Sequence, residues 1–211
     1  MSDKKQSVLV AGANGTTGRI VVELLKNSDK YEPVALVRRP DQQKSFEQYN
    51  VSTILGDLES DLSNTIKNVD KAIFAAGSGG KNVKAVDQEG AKHFTDVVKN
   101  AGAKKFVMLS SMGADNPSVM PELEDYLKAK HNADEHLRSS GLNYSIVRPG
   151  ALTDKNGTDK IELQEKLGKH GEISRSDVAK TLVDSLEDDV RHNQTFEIIS
   201  GETPIIEALR K

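Results

Sequence analysis

Short apolar runs and longer stretches of helical period alternate along almost the whole chain. Seven runs have the length of strands: Val8 to Ala11, Pro33 to Val37, Val51 to Leu55, Lys71 to Ala76, Lys105 to Ser110, Asn143 to Val147 and Thr195 to Ile199. Five of them are rich in Val, Ile or Phe, which suit a pleated, buried surface. Between them, Arg19 to Asn27 sets Ile20, Val21, Leu24 and Leu25 on one helical face, and Ala85 to Asn100 does the same with Val86, Phe94, Val97 and Val98. This alternation predicts an α/β fold, a doubly wound parallel sheet with helices on both faces. Glycines close two helical runs about three residues before the next strand, at Asn100-Ala-Gly102 and Ser139-Ser-Gly141. Ser176-Asp177 reads as the cap that opens a late helix from Val178 to Leu186. Two stretches keep no period, Ser111 to Glu124 and Thr153 to Ile173, and both read as loops covering a substrate.

Composition narrows the picture. With 211 residues and 36% hydrophobic content the chain suits one domain over residues 1–211, with 151–175 as a substrate-covering segment. Lys and Arg total 29 against 32 Asp and Glu, so no positive surplus exists to hold nucleic acid. No cysteine is present and five histidines are scattered, which removes disulfides, thiolate zinc sites and a Cys nucleophile and leaves no metal motif. Met1 to Gln6 is polar, and the apolar run after it is too short for a signal peptide or a membrane span. The expectation is a soluble cytoplasmic protein, monomer or homodimer, whose partner is a small molecule.

The strongest local signal is Val8-Leu-Val-Ala-Gly12-Ala-Asn14-Gly15-Thr16-Thr17-Gly18-Arg-Ile-Val-Val, a strand, a glycine turn and an amphipathic helix in order. Gly12 allows a tight turn, Gly15 lets a pyrophosphate approach the backbone, and Gly18 lets helix pack on strand. The phosphates would rest on the amides of Thr16 and Thr17 at a helix N-terminus. A purely structural glycine turn is the alternative. A free ribose 2'-hydroxyl is usually held by an acid at the end of the second strand, but this chain has Arg38-Arg39-Pro40 there. Guanidinium groups match a phosphate, so NADP is favoured over NAD, with NADPH expected to bind better than NADH. The other reading of Arg38 and Arg39 is a solvated strand end.

The Gly-x-x-Gly-x-x-Gly wording resembles the short-chain dehydrogenase/reductase superfamily, in its extended and atypical branches. The resemblance continues through Gly56-Asp57-Leu58, Ala75-Ala76-Gly77, Val86-Asp87 with Gly90, Ser110-Ser111, Tyr126-Leu-Lys-Ala-Lys130, Tyr144-Ser-Ile-Val-Arg-Pro149-Gly150 and Ser176-Asp-Val-Ala179. It is most similar to the small atypical group labelled NAD(P)-binding or NAD-dependent epimerase/dehydratase-like. Extended members carry a larger C-terminal substrate domain, whereas about 60 residues follow Gly150 here.

The resemblance implies a Rossmann fold and a set of roles. Tyr126 would give or take the substrate proton, and Lys130, four residues on along the same helix face, would favour its phenolate and hold the nicotinamide ribose. Ser111, with Ser110 as second choice, would bond the substrate oxygen. Asp87 stands where the superfamily usually has Asn, and would orient Lys130. Asp57 and Leu58 would flank the adenine, Asp57 having a turn role as its alternative. Ala75, Ala76 and Gly77 would line the cofactor, and Pro149 would begin the segment that meets the nicotinamide carboxamide. The activity implied is that of an NADP-dependent oxidoreductase reducing a small carbonyl, quinone or flavin-like acceptor. A redox-sensing NADP-binding module, an epimerase or dehydratase, and hydride transfer between stacked rings without Tyr and Lys are the alternatives.

Overall fold

The computed structural model describes residues 4–211; Met1 to Asp3 of the polar amino terminus lie outside them. The chain opens with β1 (Gln6–Ala11), α1 (Thr16–Lys26), β2 (Tyr31–Val37), α2 (Pro40–Gln48), β3 (Ser52–Leu55) and β4 (Lys71–Phe74). A π-helical stretch, Val83–Gly90, then runs directly into α3 (Ala91–Asn100). After it come β5 (Lys105–Leu109), two short turns of 3-10 helix, α4 (Glu124–Ser139) and β6 (Tyr144–Pro149). The last third holds β7 (Ala151–Thr153), β8 (Lys160–Gln164), β9 (Glu172–Ser174), α5 (Arg175–Asp184), β10 (Gln194–Ser200), β11 (Thr203–Pro204) and α6 (Ile205–Arg210).

Nine strands form one sheet in the order β11-β8-β10-β6-β5-β4-β1-β2-β3. From β10 to β3 all neighbours are parallel, so the order 3-2-1 followed by the rest on the other side is the doubly wound arrangement expected from the alternation. The two faces are filled by alternate residues of each strand. In β1, Val8 and Val10 join the core under α1 and α5, while Leu9 and Ala11 face the core under α3 and α4. The second core is built on Phe94, whose ring lies 5.8 Å from both Phe74 and Phe106.

The structure corrects the sequence reading in three places. The polar stretch from Thr153 to Ile173 contains β8, which pairs antiparallel with β10 and with β11 at the sheet edge, and the segment's two ends carry the small parallel pair β7 and β9. The cap of α5 is Ser174, not Ser176: its hydroxyl accepts from the Asp177 amide at 3.0 Å, and the helix starts at Arg175. The helix read as Ala85 to Asn100 begins at Val83 and has π geometry for its first eight residues. Gly102 and Gly141 both have positive φ, as helix-ending glycines do.

Candidate active site

The glycine turn divides its labour. Gly12 has φ +79°, and a Cβ there would lie 2.5 Å from the Ala76 nitrogen. A Cβ at Gly18 would lie 2.0 Å from the Gly12 carbonyl oxygen, so these two glycines let β1, α1 and the end of β4 approach one another. Gly15 differs, because the nearest atom to a Cβ there is the Gly12 oxygen at 3.2 Å, and the residue is exposed. Gly15 is the N-cap of α1 and supplies no capping side chain. The amides of Thr16, Thr17 and Gly18 find no backbone acceptor, the first helical bond being Arg19 N–H to Gly15 O at 2.9 Å. The start of this 11-residue helix is therefore an open row of donors with a favourable dipole.

At the end of β2 the two arginines have different surroundings. Arg39 donates to both oxygens of Asp41 at 3.1 Å, and this pair holds its guanidinium above and the Asp41 carboxyl below their ordinary values. The Arg38 guanidinium is exposed and has no hydrogen bond or ion pair among the described residues. A third cation, which the motif reading passed over, stands nearby. Arg19 donates to the Asn14 side chain at 2.5 Å and lies over the Phe46 ring of α2 at 5.5 Å. Its signal was only an arginine one position past the last glycine.

Asp57 accepts from the Glu59 amide at 3.1 Å, and Leu58 packs 3.1 Å from where a Gly90 Cβ would stand. Ala75 and Ala76 extend from β4 beside Gly12, and Gly77 is exposed.

Across the cleft, Tyr126, Lys130 and Asp134 occupy successive turns of one face of α4, from the half-exposed rim to full burial. Lys130 donates to the Leu109 carbonyl at 3.2 Å, lies 3.5 Å from Asp87 Oδ1 and sits 5.7 Å from the Tyr126 ring centroid. Asp87, carried by the π-helical stretch, is 1% exposed. Its Oδ2 accepts from the Ser78 amide at 3.1 Å, but Oδ1 has no hydrogen bond, and neither does the buried Ser78 hydroxyl. Unsatisfied buried polar atoms are rare, and π-helical insertions gather at functional sites.

Asp134 sorts the two serines. Its Oδ2 accepts from the Ser110 hydroxyl at 2.9 Å and from Arg148 at 2.8 and 3.1 Å, so Ser110 is committed inside the protein. Burial pushes the Asp134 carboxyl above the usual range, against the pull of Arg148. Ser111 stays partly exposed, with its hydroxyl on the Met112 carbonyl at 3.2 Å. Two buried carboxylates fix the segment beyond Pro149. Asp177 accepts from the amides of Thr158 and Asp159, and Glu197 accepts from the Leu167 amide at 2.7 Å.

The structure thus sets two halves at the carboxyl edge of one sheet: a cradle at α1 with Arg38 and Arg19 beside it, and the group of Tyr126, Lys130 and Asp87, with Ser111 just past the end of β5. Together they define a dinucleotide-binding Rossmann protein, since the open Gly15 cradle, the uncapped amides and the orphaned Asp87 oxygen fit such a cofactor. The chain belongs to the NAD(P)H-binding family, whose profile matches residues 12–189. It is 38% identical to the uncharacterized sugar epimerase YhfK of Bacillus subtilis, over 97% of this chain and 99% of that one. It is 26% identical to sanguinarine reductase of Eschscholzia californica, over 99% of this chain and 94% of that protein. A solved structure from Bacillus halodurans, provisionally named an NAD-dependent epimerase/dehydratase, matches with a TM-score of 0.89 and 33% identity, over 97% and 98% of the two chains. The family is of oxidoreductase type and has reductases among its relatives. No helix among the described residues is long and apolar enough to cross a membrane.

Proposed function

We propose that this chain is an NADPH-dependent reductase of the short-chain dehydrogenase/reductase type, with Tyr126 as the proton donor to a substrate carbonyl oxygen. The observation that carries the reading is the buried Lys130, held between Asp87 Oδ1 at 3.5 Å and the Tyr126 ring at 5.7 Å. The ammonium and the phenol share one face of α4, so a cation and a proton donor stand together at the pocket. Asp87 turns a carboxylate oxygen toward that ammonium inside the protein. Ser111, free of Asp134, steadies the substrate oxygen, and Pro149 and the backbone after it border the nicotinamide. The 2'-phosphate would lie between Arg38 and Arg19, with Arg39 a lesser contributor because Asp41 already holds it. When bound, the cofactor supplies the hydride that reduces the carbonyl carbon. Residues 151–175 wall the site from solvent.

The test is NADPH oxidation with a carbonyl panel. Tyr126→Phe should lower turnover by about 100-fold or more while NADPH affinity barely changes. Arg38→Ala should cut the preference for NADPH over NADH by roughly tenfold. Gly15→Val should abolish cofactor binding without unfolding the protein, because only one neighbour crowds a Cβ there. Full activity of Tyr126→Phe would hand the reaction to hydride transfer between stacked rings, and equal affinity for NADH and NADPH would remove the 2'-phosphate assignment.

A further inference from the structure

Arg148 lies one residue before Pro149, near the carboxyl end of β6, and is almost wholly buried. Its guanidinium is shared. Nε and Nη2 donate to Asp134 Oδ2 at 3.1 and 2.8 Å, while Nη1 stands 3.9 Å from Asp115 Oδ1. Asp134 is the fully buried member of the α4 face that carries Tyr126 and Lys130. Asp115 belongs to the loop after β5, and its other oxygen accepts from Lys166 at 2.7 Å, in the segment after β6. The next residue of that segment, Leu167, donates its amide to Glu197, the register partner of Arg148 on β10. Asp134, Arg148, Asp115 and Lys166 thus form one chain of alternating charge that runs from the buried centre to the surface and joins a helix, a loop and the segment after β6.

We infer that Arg148 is a positioning residue, which holds the helix carrying Tyr126 and Lys130 in place against the loop after β5 and the segment after β6; this rests on the reductase reading above. Neutralising Asp134 would need only a cation, and an ammonium would serve. The planar guanidinium does more, because it meets two carboxylates in fixed directions where an ammonium is a single point of charge. The α4 face is already tied to the end of β5 at two points, by Ser110 on Asp134 and by Lys130 on the Leu109 carbonyl. Arg148 adds a third point from β6, which leaves that face little freedom to turn or slide. Such freedom matters at a reacting group, where a misplacement of about 1 Å can cost roughly 100-fold in rate.

The experiment compares Arg148→Lys with the double variant Arg148→Met, Asp134→Asn, which removes the buried ion pair and leaves the Ser110 hydroxyl an acceptor. Urea unfolding reports that each is folded, and NADPH oxidation is followed with phenanthrenequinone, benzaldehyde and acetophenone. In both variants kcat should fall by about 10-fold while the KM for the carbonyl compound moves by less than about 2-fold. A guanidinium that only neutralises Asp134 predicts full turnover in both. Hydrogen exchange reads the same link without the reaction: Lys166→Met should speed amide exchange at residues 127–134 of α4 by about 3-fold, and should add nothing in the Arg148→Lys background. No NADPH oxidation by the wild type would remove the reductase reading and leave the exchange measurement to decide the inference. Full turnover in the two variants, a raised KM with unchanged kcat, or exchange in α4 that does not respond to Lys166→Met would overturn it.

Discussion

Three lysines are almost wholly buried among the described residues, and they divide between opposite edges of the sheet. Lys71 and Lys105, paired in register at the amino-terminal ends of β4 and β5, are held by short bonds to the chain after α5. Lys71 donates to the Leu186 carbonyl and to Asp188, both at 2.7 Å, and Lys105 to the Val190 carbonyl at 2.8 Å. Lys130, at the carboxyl edge, has a longer bond of 3.2 Å and faces a carboxylate oxygen that nothing else satisfies. Burial alone therefore does not mark a functional amine. The amino-edge lysines tie the turn after α5 to the sheet, while Lys130 stands beside a buried carboxylate oxygen that has no hydrogen bond.

Exchanging each lysine for methionine tests this division. The largest effect should come from Lys130→Met, which should reduce turnover by about 100-fold or more and weaken NADPH, whereas Lys71→Met and Lys105→Met should keep full turnover. Loss of activity in the latter pair without loss of fold would erase the distinction between the edges. Next in size, Lys71→Met should lower stability in urea by about 2–3 kcal/mol, because the Leu186 carbonyl loses its donor and Asp188 its buried partner. Asp188 is itself mostly exposed, which keeps the figure below that of a wholly buried pair.

The smallest effect should be a pH dependence. Burial, with a contribution from the nearby Lys71 charge, lowers the Lys105 amine from 10.5 to about 8. Between these values the unfolded chain binds more protons at this group than the folded one, so stability should rise with pH across that window. From pH 7.5 to 9.5 the gain should be roughly 1–2 kcal/mol, and Lys105→Met should flatten it. The neutral amine still donates to Val190, so the rise needs no broken bond. A falling or flat curve in the wild-type protein would refute the assignment.

The order of strands and the glycine cradle were legible because both rest on local patterns: apolar runs, helical period and glycine spacing. What escaped has physical reasons as well. Lys71 and Lys105 each open an apolar run, and a long aliphatic stem with a polar tip gives no sign in sequence of whether its tip meets water or a distant carbonyl. Strand β8, Lys160-Ile-Glu-Leu-Gln164, has only two apolar residues and borrows its place from β10. The π geometry before α3 leaves the helical period almost intact while moving Asp87 relative to Lys130. Ser110 and Ser111 are adjacent, and no local pattern announces that Ser110 bonds to Asp134, 24 residues on. Arg19 needed Phe46 to be seen as part of the cradle.

The anchoring of the segment after β6 has a thermodynamic consequence. Asp177 gathers the amides of Thr158 and Asp159, and Glu197 that of Leu167, so the backbone on both sides of β8 is fixed by buried carboxylates within the protein itself. The conformational entropy of ordering those residues is then lost during folding and not at each encounter with a ligand. If this segment walls the site as proposed above, its preorganisation leaves the binding free energy undiminished by loop ordering, and its rigidity belongs to the stability of the fold.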